Sequence, residues 1–367
     1  MRLKKRPPDF VLFLTVLMLL SIGLVMVFSA SEYVTMVRYG DSFYFFKRQL
    51  LWALLGLTTM FVMMHIDYYK LKRWVGPITI AGFVLLIAVL LPGVGRSANG
   101  AQRWINLGFM SFSPAELVKL CLIIFVAFGL SKKGEEIQSF WHGLAPYLAV
   151  MGLAAGLILL QPDLGTAVVL SGTIFIMFFV AGARLSHLGG LVGAGLVAVA
   201  LAIYFEPYRL RRFFAFLDPE KDPQGTGYHI IQSLYALGSG GLFGLGLGQS
   251  KQKFLYLPEN HTDFIFAIVG EELGFIGATL IILLFIMLVW RGLKIAVTSP
   301  DPFASLLAAG ITSGIALQAI INMGVVTGSM PVTGVPLPFI SFGGTSLLFT
   351  LAGIGIILNI SKYTTPR

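Results

Sequence analysis

The sequence predicts an all-α, polytopic membrane protein with about ten transmembrane helices and a long extracellular loop between spans seven and eight. The first observation is composition: of 367 residues, 56% are hydrophobic and only 12% are charged, whereas a soluble domain carries about 25% charged residues. The second is that apolar runs recur along the whole chain, separated by short polar or Gly/Pro-marked breaks. Hydrocarbon cannot satisfy a bare backbone and barrel-like alternation is absent, so the runs are predicted to be helices of one membrane domain, residues 1–367.

The apolar runs define the predicted spans, whose boundaries are approximate. In chain order they are Val11–Ser29, Leu50–Met64, Ile78–Leu91, Pro114–Leu130, Leu144–Leu160, Gly165–Ala181, Leu188–Phe205, Phe264–Trp290, Phe303–Met323 and Thr345–Ile360. The first run follows a basic N-terminus and could be a cleaved signal peptide. Its apolar core is longer than the roughly 7–15 residues of a signal, and more spans follow. We therefore expect an uncleaved first helix.

The placement of Lys and Arg predicts the orientation, because cytoplasmic loops carry an excess of both. With the N-terminus inside, the short outer loops hold only Arg38, Lys47, Arg48, Arg96 and Arg103. The cytoplasmic segments hold Arg2, Lys4, Lys5, Arg6, Lys70, Lys72, Arg73, Lys132, Lys133, Arg184, Arg291, Lys294, Lys362 and Arg367. Both termini are then cytoplasmic, which requires an even number of spans. These topology signals explain the net charge of +9, so we expect membrane lipids and no nucleic acid as partners.

One connection is much longer than the others. Residues 206–262 contain a basic cluster, an acidic stretch with prolines and the glycine-rich run GSGGLFGLGLGQ, with apolar and aromatic residues throughout. Loops longer than about 15 residues are usually functional or disordered, and this composition favours a structured loop on the membrane surface. The glycines do not form a nucleotide loop, because neither a preceding strand nor a G-x-x-x-x-G-K-[ST] motif is present. The nearby Lys251 and Lys253 could hold a pyrophosphate or simply solvate the loop.

Asp263 stands where the long loop meets the eighth predicted span. A carboxylate there, partly desolvated by lipid and by Phe264 and Phe266, could act as a general base on a hydroxyl. The alternative is a helix N-cap, a position that Thr262 or Asp263 would fill well. The sequence alone leaves both interpretations open.

Other acids also lie at the predicted outer ends of spans. Ser113-Pro114-Ala115-Glu116 is typical of a capping box, but it does not explain Lys119, which is costly in a membrane helix unless it pairs with Glu116. This pair is either a structural clamp or part of a polar cavity. Asp163 opens the sixth span, and Glu271 and Glu272 should face the protein interior. Together these residues suggest one convergent polar site.

The segment before the tenth span, residues 333–346, is rich in Pro and Gly. Non-helical backbone at membrane depth is tolerated only where it is buried or lines a cavity. The five histidines show no ligand spacing and the only cysteine is Cys121. The sequence therefore predicts no structural metal and no intrachain disulfide.

Two long runs resemble the SEDS family, the FtsW, RodA and SpoVE proteins of bacterial cell division, shape and sporulation. They are YHIIQSLYALGSGGLFGLGLGQSKQKFLYLPENHTDFIFAIVGEELGFIG and MPVTGVPLPFISFGGTS. The similarity also includes NGAQRWI, SPAELVKL and QPDLGTA and covers nearly the whole chain. The stretches Gln249–Lys253 and Tyr256–Glu259 are more similar to FtsW and SpoVE than to RodA, and the compact termini favour SpoVE or a short FtsW from a Gram-positive bacterium.

The resemblance implies a peptidoglycan glycosyltransferase that polymerises lipid II on the outer face of the bacterial cytoplasmic membrane and inverts the donor sugar. A class B penicillin-binding protein would be its partner. Asp263 matches the family's essential aspartate and would deprotonate the acceptor hydroxyl, which displaces undecaprenyl pyrophosphate. A divalent cation, Mg²⁺ or Mn²⁺, could help that group leave. Substrate-binding or supporting positions are predicted at Glu116, Lys119, Asp163, Arg103, Lys251, Lys253, Glu259, His261 and Ser341.

Two other functions compete with this one. A lipid II flippase would use a polar cavity around Glu116 and Lys119, but it needs polar groups that reach the cytoplasmic half, and the predicted acids cluster near the outer face. A non-catalytic scaffold of the cell-wall machinery would need no base at Asp263. Whether the cell uses the protein in division, elongation or sporulation is not encoded in any of these motifs.

Overall fold

The computed structural model describes residues 6–98, 101–106, 108 and 111–364. In these residues the chain forms twelve α-helices, three short strands and a few single turns of 3₁₀- or π-helix. The helices are α1 Phe10–Tyr39, α2 Tyr44–His65, α3 Leu71–Ala88, α4 Pro114–Leu130, α5 Ala145–Leu159, α6 Leu164–Val180, α7 Leu185–Tyr204, α8 Pro207–Leu217, α9 Tyr228–Ser239, α10 Ile265–Thr298, α11 Pro302–Val326 and α12 Gly344–Ser361.

Every predicted span coincides with a helix, namely α1 to α7 and α10 to α12. Seven helical stretches of the described chain are long and apolar enough to cross a bilayer by themselves. The protein is therefore an integral membrane protein built almost wholly of helices, as predicted. The count of ten spans stays a prediction, since α2, α4 and α6 do not meet both the length and the hydropathy expected of an independent span.

The helices differ sharply in how deeply they are buried. α12 is buried along most of its length and packs against α2, and α11 is buried over much of its surface. By contrast, Leu188 is the only buried residue of α7. A helix that is apolar all round and unburied needs lipid or a partner to cover it, so α7 lies at the rim and α11 and α12 form the centre.

The connection between α3 and α4 contains a small antiparallel sheet that the sequence analysis did not predict. Its strands are β1 Gly95–Ala98, β2 Ala101–Asn106 and β3 Ser111–Phe112, in the order β1-β2-β3. Strands this short lack the length from which a period of two can be read. The hairpin matters because β2 carries Arg103.

Both ends of the described chain lie on the same face of the molecule. The amide of Arg6 donates to the carbonyl of Lys362 (3.0 Å), and the amide of Asp9 donates to Ser361 Oγ (3.0 Å). An even number of crossings agrees with this arrangement. We call this face the terminal end and the opposite face, which carries residues 206–262, the loop end.

The glycine-rich part of the long loop packs against a kink in α10. Gly274 interrupts α10 with φ of 67°, and the amide of Phe275 donates to the carbonyl of Gly241 (2.9 Å). A Cβ on Gly244, where φ is 82°, would lie 2.2 Å from the carbonyl oxygen of Glu272. Only glycine permits this approach and this φ, so this part of the run is explained by packing.

Candidate active site

Asp263 lies in the last turn before α10 and does not cap that helix. The N-cap position belongs to Phe264, without a side-chain cap hydrogen bond, and Thr262 Oγ donates instead to Glu259 Oε2 (2.8 Å). The capping alternative for Thr262 or Asp263 is therefore wrong. Asp263 is half-buried, and no residue in the described part of the chain donates a hydrogen bond to its carboxylate. Among the described residues, the carboxylate is thus held in place only through its backbone.

The surroundings of Asp263 favour its protonated form. Burial, followed by the negative charge of Glu259 and a smaller contribution from Asp163, raises the pKa of Asp263 to about 7, while Arg103 and Arg212 oppose the rise. A carboxyl group with a pKa near the working pH is suited to accept a proton during a reaction. This is the property that a general base requires.

The start of α6 brings Asp163 to the same site. Asp163 Oδ1 accepts from the amide of Thr166 (3.0 Å) and so caps α6, and its Oδ2 lies 3.4 Å from Arg103 Nη1. Arg103 is fixed further because its Nε donates to the carbonyl of Gln161 (3.0 Å) and its guanidinium also contacts the carbonyl of Pro162. The β2 strand and the turn before α6 therefore hold one cation in a defined position near Asp263.

The amphipathic helix α8 covers this turn. Arg209 is buried; its Nε donates to the hydroxyl of Tyr208 (2.9 Å), and that hydroxyl donates to the carbonyl of Pro162 (3.3 Å). Arg212, one turn along α8, is exposed and close enough to influence the pKa of both Asp263 and His229. Arg209 therefore has a structural role, whereas Arg212 faces the site.

His261 flanks Asp263 on the other side. Its ring stacks on Phe45 with centroids 4.5 Å apart, and Nδ1 lies 3.1 Å from Asn260 Oδ1. Burial, together with a smaller contribution from the charge of Arg38, lowers the pKa of His261 to about 4, although the charge of Glu259 opposes the shift. His261 is therefore neutral at pH 7, so it can support the turn but is not a cation for a substrate phosphate.

The Pro/Gly-rich segment before α12 is buried non-helical backbone, as predicted. Ser341 Oγ donates to the carbonyl of Thr262 (2.6 Å) and accepts from the amide of Leu337 (2.8 Å). Gln49 Nε2 donates to the carbonyl of Ser341 (3.1 Å). With 4% exposure, Ser341 contacts the turn that carries Asp263 from beneath.

Glu116 and Lys119 form the predicted ion pair, with Nζ 2.9 Å from Oε2. The capping-box prediction is wrong in part: Ser113 occupies the N-cap but makes no side-chain cap bond. The Glu116 carboxylate pairs with Lys119, and the amide of Ser113 donates to Thr345 Oγ1 (3.2 Å). Lys119 also donates to Gln318 Oε1 (2.9 Å), and Gln318 Nε2 donates to the carbonyl of Pro336 (3.0 Å). The pair lines a small, mainly apolar cavity of about 50 Å³ between α4, α6, α11 and α12, and Asp263 is not part of its lining.

Lys251 and Lys253 occupy very different environments. Lys251 is exposed; its backbone amide donates to Glu271 Oε1 (2.9 Å), and its carbonyl accepts from the amide of Phe254 (3.2 Å). Lys253 is 2% exposed, donates to the carbonyl of Gly248 (2.7 Å) and lies 3.5 Å from Glu272 Oε1. The prediction that Lys253 solvates the loop is therefore wrong. The prediction that Glu271 and Glu272 face the protein interior is confirmed.

The predicted residues thus fall into three groups. Asp263, Arg103, Asp163 and Glu259 converge, with His261 and Ser341 supporting the turn. The Glu116–Lys119 pair and the Lys251–Lys253 turn lie apart from them. The described residues contain no group of three or more His, Cys, Asp or Glu side chains placed to hold a metal ion, and assistance by a divalent cation stays a prediction.

Gln318 and Asn322 connect α11 to the Pro/Gly-rich segment and were not among the residues predicted from the sequence. Both lie within the predicted span Phe303–Met323, and both are buried. An amide inside an apolar span is costly unless it has partners. That cost is the signal that would have identified them.

Comparison with known proteins places this arrangement in a family. The family described as "Cell cycle protein", FtsW/RodA/SpoVE, matches residues 10–366. Stage V sporulation protein E of Bacillus subtilis is 51% identical over 99% of this chain and 100% of its own length. A probable peptidoglycan glycosyltransferase FtsW of Trichlorobacter lovleyi is 47% identical over 96% of this chain and 93% of its own length.

Solved structures agree in both fold and extent. A structure described as showing coordination of polymerization and crosslinking by a peptidoglycan synthase complex matches with a TM-score of 0.79, at 32% identity over 96% of this chain and 97% of its own. Thermus thermophilus rod shape determining protein RodA matches with a TM-score of 0.73, at 31% identity over 98% of both chains. The chain therefore belongs to the FtsW/RodA/SpoVE family of cell cycle proteins.

Proposed function

We propose that this protein is a peptidoglycan glycosyltransferase that polymerises lipid II, with Asp263 as its general base. The observation that supports it best is a half-buried carboxylate whose pKa is raised to about 7 and to which no described residue donates a hydrogen bond. Relatives that are similar over almost the whole chain are named probable peptidoglycan glycosyltransferases. A substrate hydroxyl would be the missing partner of that carboxylate.

In the proposed reaction Asp263 accepts the proton of the acceptor sugar hydroxyl. The hydroxyl oxygen then forms a bond to the anomeric carbon of the donor while the bond from that carbon to the undecaprenyl pyrophosphate oxygen breaks, inverting the configuration. Negative charge develops on the leaving diphosphate, and cations placed in advance stabilise such charge. Arg103, fixed by Asp163 and two carbonyls, and the exposed Arg212 are the cations nearest to Asp263 in the described chain that influence its pKa.

The proposed reaction also requires a particular orientation in the membrane and a partner protein. The loop end would face the outside of the cytoplasmic membrane, the terminal end the cytoplasm, and ten helices would cross the bilayer. A class B penicillin-binding protein would be the partner, since a structural neighbour is described as part of a complex that coordinates polymerization and crosslinking. The lipid chain of the substrate would remain in the membrane beside the site.

The decisive experiment compares Asp263→Ala with Asp218→Ala in the purified protein with its partner. Asp218 is a matched control because it is an exposed carboxylate of the same loop whose ion pair is with Lys221. Loss of a general base typically costs about 10²–10⁴-fold in rate, so Asp263→Ala should make almost no glycan from lipid II. Asp218→Ala should polymerise like the parent. Normal strands from Asp263→Ala would refute the assignment.

The same preparation, reconstituted in liposomes, distinguishes polymerisation of lipid II from its transport across the membrane. The cavity lined by Glu116, Lys119 and Gln318 is the feature that would favour a transporter. Fluorescent lipid II placed in one leaflet should be polymerised without crossing if the proposal holds. Movement between leaflets without polymer would favour transport instead.

A further inference from the structure

Three consecutive carbonyls around Asp263 are each held by a different donor. The carbonyl of His261 accepts from the amide of Phe342 (2.9 Å). The carbonyl of Thr262 accepts from Ser341 Oγ (2.6 Å), and the carbonyl of Asp263 itself accepts from Asn322 Nδ2 (2.7 Å). The backbone of the turn is therefore fixed at successive residues by α11 and the segment before α12.

Asn322 differs from the other two donors because it binds two backbone segments, the turn that carries Asp263 and the segment before α12. Its Nδ2 donates to the carbonyl of Asp263 and also to the carbonyl of Val335 (2.8 Å). Gly334, next to Val335, lies against the carboxylate: a Cβ added there would be 3.6 Å from Asp263 Oδ2. One amide thus sets the distance between the turn that carries Asp263 and the backbone that its carboxylate faces.

The position of Asn322 would be unfavourable without such a role. It is 1% exposed, near the end of an apolar helix, and its Oδ1 is buried with no hydrogen-bond partner in the described chain. A buried polar atom without a partner costs about 1–3 kcal/mol. A leucine at this place would avoid that cost in a membrane helix.

We infer that Asn322 is a positioning residue for catalysis, which holds Asp263 at the distance and angle that proton transfer requires. The inference rests on the proposed function. Asn322 does not touch the reacting atoms; it acts through the carbonyls of Asp263 and Val335. A displacement of about 1 Å from such a cause can lower a rate by about 100-fold.

The chain offers a matched control in Asn359 of α12. Asn359 is 3% exposed; its Nδ2 donates to the carbonyl of Met64 (2.8 Å), and its Oδ1 accepts from the amide of Tyr68 (3.0 Å). It therefore has the same chemistry and burial but lies at the terminal end. The variants Asn322→Leu and Asn359→Leu remove the same donor at opposite ends of the molecule.

Steady-state polymerisation with the partner present is the first readout. We expect kcat of Asn322→Leu to fall by about 100-fold with KM for lipid II within about threefold of the parent, and kcat of Asn359→Leu to stay within about threefold. A kcat of Asn322→Leu within threefold of the parent, or an equal loss in Asn359→Leu, would overturn the inference. If Asn322→Leu does not fold, Asn322→Ala removes the N–H donor without adding a charge and is judged by the same limits.

The second readout does not require activity. The infrared band of the Asp263 carboxyl, isolated by subtracting the spectrum of Asp263→Asn, reports its titration midpoint. Release of the turn should move the midpoint in Asn322→Leu from about 7 toward the ordinary aspartate value of about 4. An unchanged midpoint would overturn the inference. If the parent complex makes no glycan, the proposed function fails, while this measurement still decides whether Asn322 places the carboxyl.

The charged groups around Asp263 stay the same in these variants. α11 and residues 333–343 contribute none, since residues 302–343 contain no charged side chain and no histidine. A shifted midpoint would therefore report the position of the carboxyl. The groups that face it from the other elements are Glu259 and His261 in the turn, Arg103 in β2, Asp163 before α6, Arg212 in α8 and His229, stacked on Phe264, in α9.

Discussion

Asp263 at the loop end and the paired acids at the terminal end differ in their hydrogen-bond partners. At the terminal end, Asp9 pairs with Arg291, and Asp301 lies 3.3 Å from Lys72. At the loop end, Asp263 has no hydrogen-bond donor in the described chain although two arginines lie near it. Asp163, in the same site, is paired with Arg103, so the contrast belongs to Asp263 itself and not to every charge at the loop end.

The two buried asparagines show the same contrast. Both the donor and the acceptor of Asn359 are satisfied, whereas Asn322 satisfies two carbonyls and leaves its own Oδ1 without a partner in the described chain. Buried polar groups are nearly always satisfied in stable proteins. The unsatisfied Oδ1 is thus a cost to stability that Asn322, which contacts the backbone of Asp263, carries and Asn359 does not.

The largest expected effect on the polymerisation rate comes from Arg103→Met at the loop end, compared with Arg291→Met at the terminal end. Each variant removes a guanidinium paired with an aspartate, near the site in one case and at the terminal end in the other. Removing one group that stabilises developing charge typically costs roughly 10²–10³-fold in rate. We expect polymerisation at pH 7 to fall by about 100-fold for Arg103→Met.

The control Arg291→Met should lower the thermal midpoint while leaving the rate within about threefold, since its partner Asp9 lies far from Asp263 in the fold and serves the ends of α1 and α10. Initial rates with lipid II and the partner, measured beside thermal unfolding, check both variants. An equal loss of rate in the two variants would remove the functional distinction between the ends.

The pH dependence of the rate gives a smaller effect. Asp263 must be ionised to accept a proton, and its pKa is about 7. We therefore expect kcat/KM to rise roughly tenfold between pH 6 and pH 8, as the ionised fraction does for a group of that pKa. Initial rates across pH 5–9 measure it, and a profile that is flat from pH 5 upward would contradict a base with a raised pKa.

Much of the helical architecture could be predicted from the sequence, because hydrocarbon imposes a local rule on each span. Apolar runs gave every long helix, and the cost of charge in a membrane placed Glu271 and Glu272 inside and paired Lys119 with Glu116. The rest depended on contacts between distant parts of the chain. Nothing near Lys253 in the sequence announces that Glu272 would bury it, and the N-cap of α10 was decided by how the preceding turn packs.

The site itself was predictable as a set of residue types but not as a geometry. Asp263, Asp163 and Arg103 were each singled out, yet the hairpin that positions Arg103 and the amide of Asn322 became evident only from the fold. Lys251 and Lys253 were paired by sequence proximity, and the structure separates them into an exposed and a buried side chain. Neighbours in sequence share a function only when the backbone gives them the same surroundings.

The smallest predicted effect concerns stability. The pKa of Asp263 is higher in the folded protein than the ordinary value of about 4, so the fold prefers the protonated group. Stability from this group is fully present below about pH 4 and is lost as pH rises to about 7. Asn cannot ionise, so Asp263→Asn should unfold at a higher temperature than the parent at pH 8, by about 2–4 °C if roughly 1 kcal/mol is regained.

The gain should shrink to about a third at pH 5, where only about one of the roughly three pH units between the ordinary and the raised pKa has been crossed. Asp222→Asn supplies a control of opposite sign. Hydrogen bonds from the amide and hydroxyl of Thr226 lower the pKa of the exposed Asp222. Its stabilising contribution is therefore complete throughout pH 5–8, and Asp222→Asn should lower the thermal midpoint equally at both pH values or leave it unchanged. A gain for Asp263→Asn that is the same at pH 5 and pH 8 would mean that the fold does not raise the pKa of this carboxyl, and the loop end would then differ from the terminal end in geometry alone.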